Sequence, residues 1–244
     1  MITERTVREV AVEVPNATKV FERFGIDYCC GGGNTLASAC AQKGLQVGDV
    51  LNAISREAAA EARRQSNTQN WTLATLSDLI DHIAGTHHAY VRQESARIQN
   101  LLAKVVAKHS EKHPEVSTIQ QVFGALAAEL NSHLMKEENI LFPYIRELEQ
   151  ASLLTGLRKP RPMFGTVKNP IHMMEIEHDS AGEAFRRLRE FSNNFTPPED
   201  ACPTFKATYS ALQEYESDLH QHVHLENNIL FPRAIALENP GPTA

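Results

Sequence analysis

Four long stretches of the chain carry apolar residues three and four positions apart, the spacing of one face of an amphipathic α-helix. The spacing predicts helices over residues 75–108, 115–149, 169–195 and 203–236. Loops rich in helix-breaking residues separate these four stretches. The alternation of apolar and polar residues that is typical of a half-buried strand does not extend over any useful length. The pattern therefore predicts an all-α protein.

A shorter helical unit precedes these four helices. A first helix is expected to end at Gly25 and a second to be capped by Asn34, because glycine favours the position after a helix and asparagine the N-cap. The polar stretch over residues 58–70 then separates this unit from the long helices. We therefore divide the chain into a small helical N-terminal domain, residues 1–65, and a four-helix bundle, residues 71–240.

The bundle contains an internal repeat. The segment HLMKEENILFP at residues 133–143 returns as HVHLENNILFP at residues 222–232. His88 and His178 occupy nearly corresponding positions one helix earlier in each copy. The bundle is therefore predicted to consist of two duplicated helical hairpins, each with a histidine on its first helix and a His-x-x-x-Glu pair on its second.

Six polar residues fall on the apolar stripes that should face the bundle core. They are His88, His133, Glu137, His178, His222 and Glu226. A histidine and a glutamate four positions apart lie on one helix face, so each pair can converge on a single point. Burying two carboxylates without a compensating charge would cost several kcal/mol each. The pattern therefore indicates a metal site.

The number and type of these side chains suggest two metal ions. Six ligands exceed the four of a tetrahedral zinc site. Two ions that share both carboxylates as bridges, with two imidazoles each, would use all six. Imidazole with carboxylate suits iron and, less well, manganese. Such a site leaves positions open for an oxo or hydroxo bridge and for a small exogenous molecule.

Other polar residues are weaker candidates. Glu175 has the Glu-x-x-His spacing of ferritin-like sites with His178, but a glycine, Gly85, stands at the matching position before His88. Three acidic residues are candidates for outer hydrogen-bond acceptors or proton carriers, although a solvated face explains them equally well: Glu129, Glu177 and Asp218. The remaining histidines are predicted to lie at the surface: His82, His87, His109, His113, His172, His220 and His224.

The cysteines offer a second chemistry. Vicinal Cys29 and Cys30 precede three glycines just before the expected second helix, whose N-terminus would favour a thiolate. Such thiols can bind iron transiently, pair with a thiol of a partner or react with nitric oxide. A tight glycine turn with two half-buried cysteines is the alternative, and the nearby Asp27 opposes thiolate formation. Cys40 is expected to pack on a helix face and Cys202 to belong to a loop.

Charge and hydropathy exclude other classes of protein. The formal net charge is -6, and lysine and arginine are scattered, so a nucleic-acid-binding surface is not expected. No apolar run approaches the roughly 18 residues of a membrane span, and no secretory signal is apparent near the first residue. A cytoplasmic location is the expectation that follows.

These motifs resemble those of the repair-of-iron-centres family of hemerythrin-like di-iron proteins. The resemblance in the bundle rests on His88 and on residues 133–137, 177–179 and 222–232. The segment FGIDYCCGG, residues 24–32, looks like the cysteine-containing N-terminal domain of that family. The resemblance implies a hemerythrin-like four-helix bundle that holds two non-haem iron ions on the six residues named above.

The resemblance also implies a function. Members of the family help to restore iron–sulfur clusters damaged under nitric oxide or peroxide stress, so damaged iron–sulfur proteins are the expected partners and iron supply the expected role. Two alternatives remain open: reduction of nitric oxide to nitrous oxide with an external electron donor, and reversible binding of NO or O2. In the reductase alternative Glu129 and Glu177 would relay protons. The sequence leaves open whether the protein is an enzyme and whether it is a monomer or a homodimer.

Overall fold

The fold is described from a computed structural model of the chain. The structure describes residues 2–14, 16–29, 31–64, 70–154, 160 and 162–239, without the side chains of residues 59–64. All regular elements in these ranges are helices, as predicted, apart from one isolated bridge between Thr6 and Thr35.

The N-terminal part contains a 3-10 turn, Ile2–Glu4, and four helices. They are α1 (Val7–Glu13), α2 (Ala17–Phe24), α3 (Leu36–Gln42) and α4 (Val47–Arg64). Helix α1, which the sequence analysis did not anticipate, begins with a capping box between Thr6 and Glu9. The helices enclose a separate apolar core that includes Val10, Phe21, Tyr28 and Leu36.

The caps of α2 and α3 test two predictions. Gly25 follows α2 in the left-handed conformation, with φ 64°, as expected for a C-terminal glycine. The prediction that Asn34 caps α3 is wrong. The N-cap is Thr35, whose hydroxyl accepts a hydrogen bond from the Ser38 N–H at 3.2 Å. The Asn34 side chain instead donates to the carbonyl of Gly31, which leaves the cap to its neighbour.

The bundle helices lie close to the predicted ranges. They are α5 (76–109), α6 (115–153), α7 (Lys168–Phe191) and α8 (203–238). Helix α7 ends before the predicted residue 195, because residues 193–195 all have positive φ and cannot continue an α-helix. In the part of the chain that the structure describes, none of the helices combines the length and the hydropathy that a membrane span requires.

Three of the four bundle helices contain a π-helical segment. These are Ile83–His88 in α5, Glu137–Leu141 in α6 and Glu226–Leu230 in α8. Each segment contains one of the predicted metal ligands, at its last residue in α5 and at its first residue in α6 and α8. Single π-helical turns within α-helices occur frequently at functional sites. The apolar pattern of the sequence did not reveal them.

The predicted ligands form a polar layer inside the bundle. Helix α5 packs against α6 and α8, and α6 packs against α7. One apolar cluster, here cluster A, includes Ile98, Phe123, Phe185 and Tyr215. A second, cluster B, includes Leu79, Ile145, Ile171 and Phe231. Along each helix, the predicted ligands lie at the junction where residues of cluster A give way to those of cluster B.

The N-terminal domain is attached to the bundle mainly through α8. The hydroxyl of Tyr28 donates to Glu22 at 2.9 Å and accepts from the Gln221 side chain at 2.5 Å. The imidazole Nδ1 of His220 lies 2.8 Å from Glu22 Oε1. The side chain of Asn228 donates to the backbone carbonyl of Tyr28 at 2.9 Å. These contacts hold the segment that leads into the cysteine loop against the bundle.

Candidate metal centre

All six predicted ligands come together in the polar layer. Each is at most 2% exposed. Their ligand atoms form two overlapping groups of four, and within each group the atoms lie within 4.8 Å of one another. One group contains His88 and His222, the other contains His133 and His178, and both contain Glu137 and Glu226.

The carboxylate of Glu226 spans the two groups. Its Oε1 lies 3.0 Å from Nε2 of His222, and its Oε2 lies 3.2 Å from Nε2 of His178. In the first group the Nε2 atoms of His88 and His222 are 3.1 Å apart, and in the second group those of His133 and His178 are also 3.1 Å apart. Four imidazoles thus direct their Nε2 atoms at a centre shared by two carboxylates.

The chemistry of this centre fits metal cations. Both carboxylate oxygens of Glu137 are buried without a hydrogen-bond partner, and Oε2 lies 3.4 Å from Nε2 of His88 and of His133. Burial and the neighbouring Glu226 carboxylate raise the pKa of Glu137 to about 8. Burial and the His178 ring lower the pKa of His133 to about 4, which keeps that imidazole in the neutral form that binds metals. Two cations would compensate the buried carboxylates.

Two residues that the sequence analysis missed orient ligand imidazoles. Nδ1 of His88 lies 2.7 Å from Oε1 of Glu138, and Arg92 donates to the other oxygen of that carboxylate at 2.7 Å. Nδ1 of His178 lies 2.9 Å from Oδ1 of Asn227. Because these oxygens are acceptors, they favour a proton on each Nδ1, and Nε2 is then the nitrogen that would bind a metal. Glu138 directly follows Glu137, and Asn227 directly follows Glu226. The matching positions in the two copies of the repeat could therefore have indicated both residues.

A third imidazole is oriented by a residue that the sequence did identify. Nδ1 of His133 lies 2.8 Å from Oε2 of Glu177, whose other oxygen pairs with Lys136. Glu177 therefore occupies the position of an outer acceptor. Glu175, the alternative ligand, belongs to neither group of potential ligand atoms among the described residues.

Two histidines predicted to lie at the surface are buried, so this prediction is wrong for them. His87 is 7% exposed and His224 is 5% exposed. His87 lies on the buried face of α5, seven residues after Ile80 and four before Val91, and its ring is parallel to that of His222 at 5.7 Å. Its Nδ1 lies 3.0 Å from Oδ1 of Asp218. Asp218, a candidate for an outer acceptor beside a ligand histidine, therefore contacts His87 instead. His224 is covered by the ring of Tyr28, at 5.4 Å.

The other histidines are more accessible. His172 is exposed, and four are half-buried: His82, His109, His113 and His220.

A surface groove leads to one side of the centre. It has a cavity volume of about 330 Å³. Its lining includes Glu129, Leu130, His133, Lys136, Ile176 and Glu177. Glu129, which the sequence suggested as an outer acceptor, is exposed in this groove. A small molecule that enters the groove would meet the His133 side of the centre first.

The cysteine loop lies against the bundle. Cys29 is only 3% exposed and belongs to apolar cluster A, and its thiol donates to Oδ1 of Asp27 at 3.3 Å. Cys30 lies outside the described residues. Cys40 is buried in the N-terminal core, as predicted. Cys202, predicted to be a loop residue, is the N-cap of α8.

Comparison with known proteins agrees with this architecture. Residues 79–234 match the hemerythrin HHE cation-binding domain, and residues 3–58 match the ScdA N-terminal family, a domain of unknown function (DUF542). The chain is 38% identical to the iron-sulfur cluster repair protein YtfE of Escherichia coli O81 (strain ED1a), over 96% of this chain and 98% of that protein. It is 35% identical to a probable iron-sulfur cluster repair protein of Haemophilus influenzae, over 95% and 97% of the two chains. The chain therefore belongs to the repair-of-iron-centres family of hemerythrin-like proteins.

Proposed function

We propose that this protein takes part in the repair of damaged iron–sulfur clusters and that it does so by supplying iron from a di-iron centre. The observation that carries the proposal is the pair of overlapping ligand groups that share two buried carboxylates. The relatives named iron-sulfur cluster repair proteins, matched over nearly their whole length, support the same role. Damaged iron–sulfur proteins are the partners that this role requires.

Each ion would have its own pair of imidazoles. His88 and His222 would hold one iron, and His133 and His178 the other, with both carboxylates shared. Imidazole nitrogen and carboxylate oxygen are donors that suit iron. Bound iron would be the material that an incomplete cluster needs. Because each carboxylate serves both positions, displacement of one carboxylate weakens the hold on both ions.

The rest of the chain is consistent with this proposal. We propose that residues 1–65 and 71–240 act as two domains, supported by the separate family matches over 3–58 and 79–234. Among the cysteines that the structure describes, Cys40 and Cys202 are free thiols. Free thiols fit the reducing cytoplasm that we propose as the compartment.

The iron content of ligand variants tests the proposed centre. We expect His133→Ala and Glu226→Ala to lose at least one iron per chain, because each removes a ligand atom from one or both groups. Glu175→Ala is the matched control and should retain the wild-type iron content. Iron analysis of protein reconstituted without oxygen gives the result. Wild-type iron content in both ligand variants would contradict the assignment.

The role of the cysteines needs a repair assay. The protein would be incubated with an enzyme whose iron–sulfur cluster has been damaged by nitric oxide, and the return of that enzyme's activity would be measured. We expect the Cys29→Ser/Cys30→Ser double variant to keep its iron but to restore the cluster more slowly than wild type. Equal rates would rule out a role for these thiols in repair.

Binding or reduction of nitric oxide is a second candidate, favoured by the groove that reaches His133. A diatomic molecule fits easily into this volume. The test adds excess NO and a chemical reductant to the reduced, iron-loaded protein and measures nitrous oxide. Many turnovers per centre would support an enzyme. Product at or below one equivalent would support binding or repair.

A further inference from the structure

Three consecutive residues of α8 connect the metal centre to the cysteine loop. Glu226 belongs to both ligand groups, and Asn227 is hydrogen-bonded to the ligand His178. Asn228 donates to the backbone carbonyl of Tyr28, the residue directly before Cys29. All three lie in the π-helical segment Glu226–Leu230. A change in this segment therefore acts on the centre and on the loop together.

The internal repeat provides a comparison within the same molecule. In α6, Glu137 belongs to both ligand groups, as Glu226 does, and Glu138 is hydrogen-bonded to His88, as Asn227 is to His178. The third residue differs. Asn139 is exposed, and its side chain donates to the Met135 carbonyl of its own helix at 2.7 Å. Asn228 is buried, and its amide reaches the N-terminal domain in addition to Nδ1 of His224 in its own helix, at 2.7 Å. The contact of Asn228 is therefore specific to the second copy and is not imposed by a π-helical segment as such.

The loop that Asn228 holds has its thiol covered. Tyr28 is 1% exposed and Cys29 is 3% exposed, with Cys29 packed into apolar cluster A of the bundle. The Tyr28 ring contacts His224, which lies on α8 two residues before Glu226. Reagents can reach the Cys29 thiol only if this segment moves away from α8.

We propose that the π-helical segment Glu226–Leu230 couples metal occupancy to exposure of the Cys29 thiol. A π-helical turn is less favourable than an α-helical one, and a Glu226 carboxylate fixed on two cations helps to hold this turn in place. Loss of the cations frees that carboxylate, the turn relaxes, and the Asn228 amide withdraws from Tyr28. The thiol then becomes accessible when iron has been given up. This inference rests on the proposed function, since it requires that the centre binds and loses iron.

Thiol alkylation tests the coupling. The Cys30→Ser variant, loaded with iron or stripped by a chelator, is treated with N-ethylmaleimide, and the modification of Cys29 is followed by peptide mass spectrometry. We expect stripped protein to react about fivefold faster, the change that loss of one ordinary hydrogen bond makes to a local opening equilibrium. Cys40, buried in the N-terminal core, should react at the same slow rate in both forms, which separates local opening from unfolding. Equal Cys29 rates in protein shown to bind and lose iron would overturn the inference.

Variants of the two asparagines locate the coupling. In the same background, loaded Asn228→Ala protein should keep its iron and alkylate at Cys29 as fast as stripped protein. Asn139→Ala, the corresponding change in the first copy, should leave the rate of the loaded protein unchanged. Slow alkylation in loaded Asn228→Ala would contradict the role of this residue.

If Asn228→Ala does not fold, amide hydrogen exchange over residues 16–29 is compared between loaded and stripped wild-type protein. Equal exchange in the two forms would overturn the proposal. A protein that binds no iron would refute the proposed function itself.

Discussion

At the scale of single residues, the centre depends on the groups that orient its imidazoles. Glu138 holds Nδ1 of His88 and is itself held by Arg92, so the His88 ring is fixed with Nε2 toward the shared carboxylates. Asn227 performs this task for His178 with a neutral amide oxygen. The imidazoles of His88 and His178 are thus oriented by oxygens of different charge.

Removal of Glu138 tests this support. We expect Glu138→Ala to lower metal affinity by about 10- to 100-fold, the usual effect of losing a hydrogen-bond partner of a metal-bound histidine. Competition with a chelator of known affinity provides the measurement. Glu175→Ala, a glutamate change outside both ligand groups, is the control and should bind as wild type. Equal affinity in the two variants would show that Glu138 does not support the site.

The sequence located the six clustered side chains better than the residues that support them. His133 and Glu137 could be identified because a helix places positions four apart on one face, and a buried ion pair without a metal is costly. Glu138 could not be identified in this way, since its partner lies on another helix and only the packing of α5 on α6 brings them together. His87 was predictable as well, since it lies seven residues after Ile80 and four before Val91, which a regular α-helix places on one face.

At the scale of helices, the first helix of the bundle receives a second N-terminal cap from α6, besides its own Thr75. The sequence suggests that Thr75 begins a helix, and its hydroxyl does accept from the Asp78 N–H at 3.0 Å. The carboxylate of Glu149 in α6 also accepts from the N–H groups of Leu76, at 2.6 Å, and Ser77, at 2.9 Å. A negative charge at a helix N-terminus is favourable. Glu149 therefore joins α5 to α6 at the end of the bundle near cluster B.

The contribution of this cap is measurable. We expect Glu149→Ala to lower the free energy of unfolding by about 1–2 kcal/mol, as for loss of an N-cap. Glu147, exposed on the same helix, provides the matched control, and Glu147→Ala should change stability by less than about 0.5 kcal/mol. Urea denaturation of the iron-loaded proteins compares them. A Glu149→Ala variant as stable as the control would mean that the cap contributes nothing.

Helix positions were predictable, but the π-helical segments were not. The apolar stripe of each helix extends over many turns, so it predicted the ends of α5 to α8 within a few residues. A single wider turn, such as Glu137–Leu141, shifts that stripe too little to be seen in the sequence. The cost of the turn is offset by contacts of the folded bundle, which the local sequence does not reveal.

At the scale of the whole molecule, metal binding should stabilise the fold. The polar layer gathers two carboxylates and four imidazoles in the interior, and cations bound there act only on the folded state. We expect iron to raise the free energy of unfolding by about 4 kcal/mol when free metal exceeds its Kd about 1000-fold. Thermal denaturation of loaded and stripped protein measures the difference.

A ligand variant serves as the control for that measurement. Glu226→Ala removes a carboxylate common to both groups, so added iron should change its melting temperature much less than that of wild type. An equal shift in the variant and in wild type would indicate that iron stabilises the protein at some other place.

The position of the polar layer between clusters A and B has a consequence for cooperativity. Each end of the bundle has its own continuous apolar interior, so the helices can remain anchored at both ends while the middle loosens. Ions can then enter or leave by a local fluctuation of the polar layer, without unfolding of the whole protein. In the proposed role as an iron donor, such a protein would give up its metal many times and still return to the same native state.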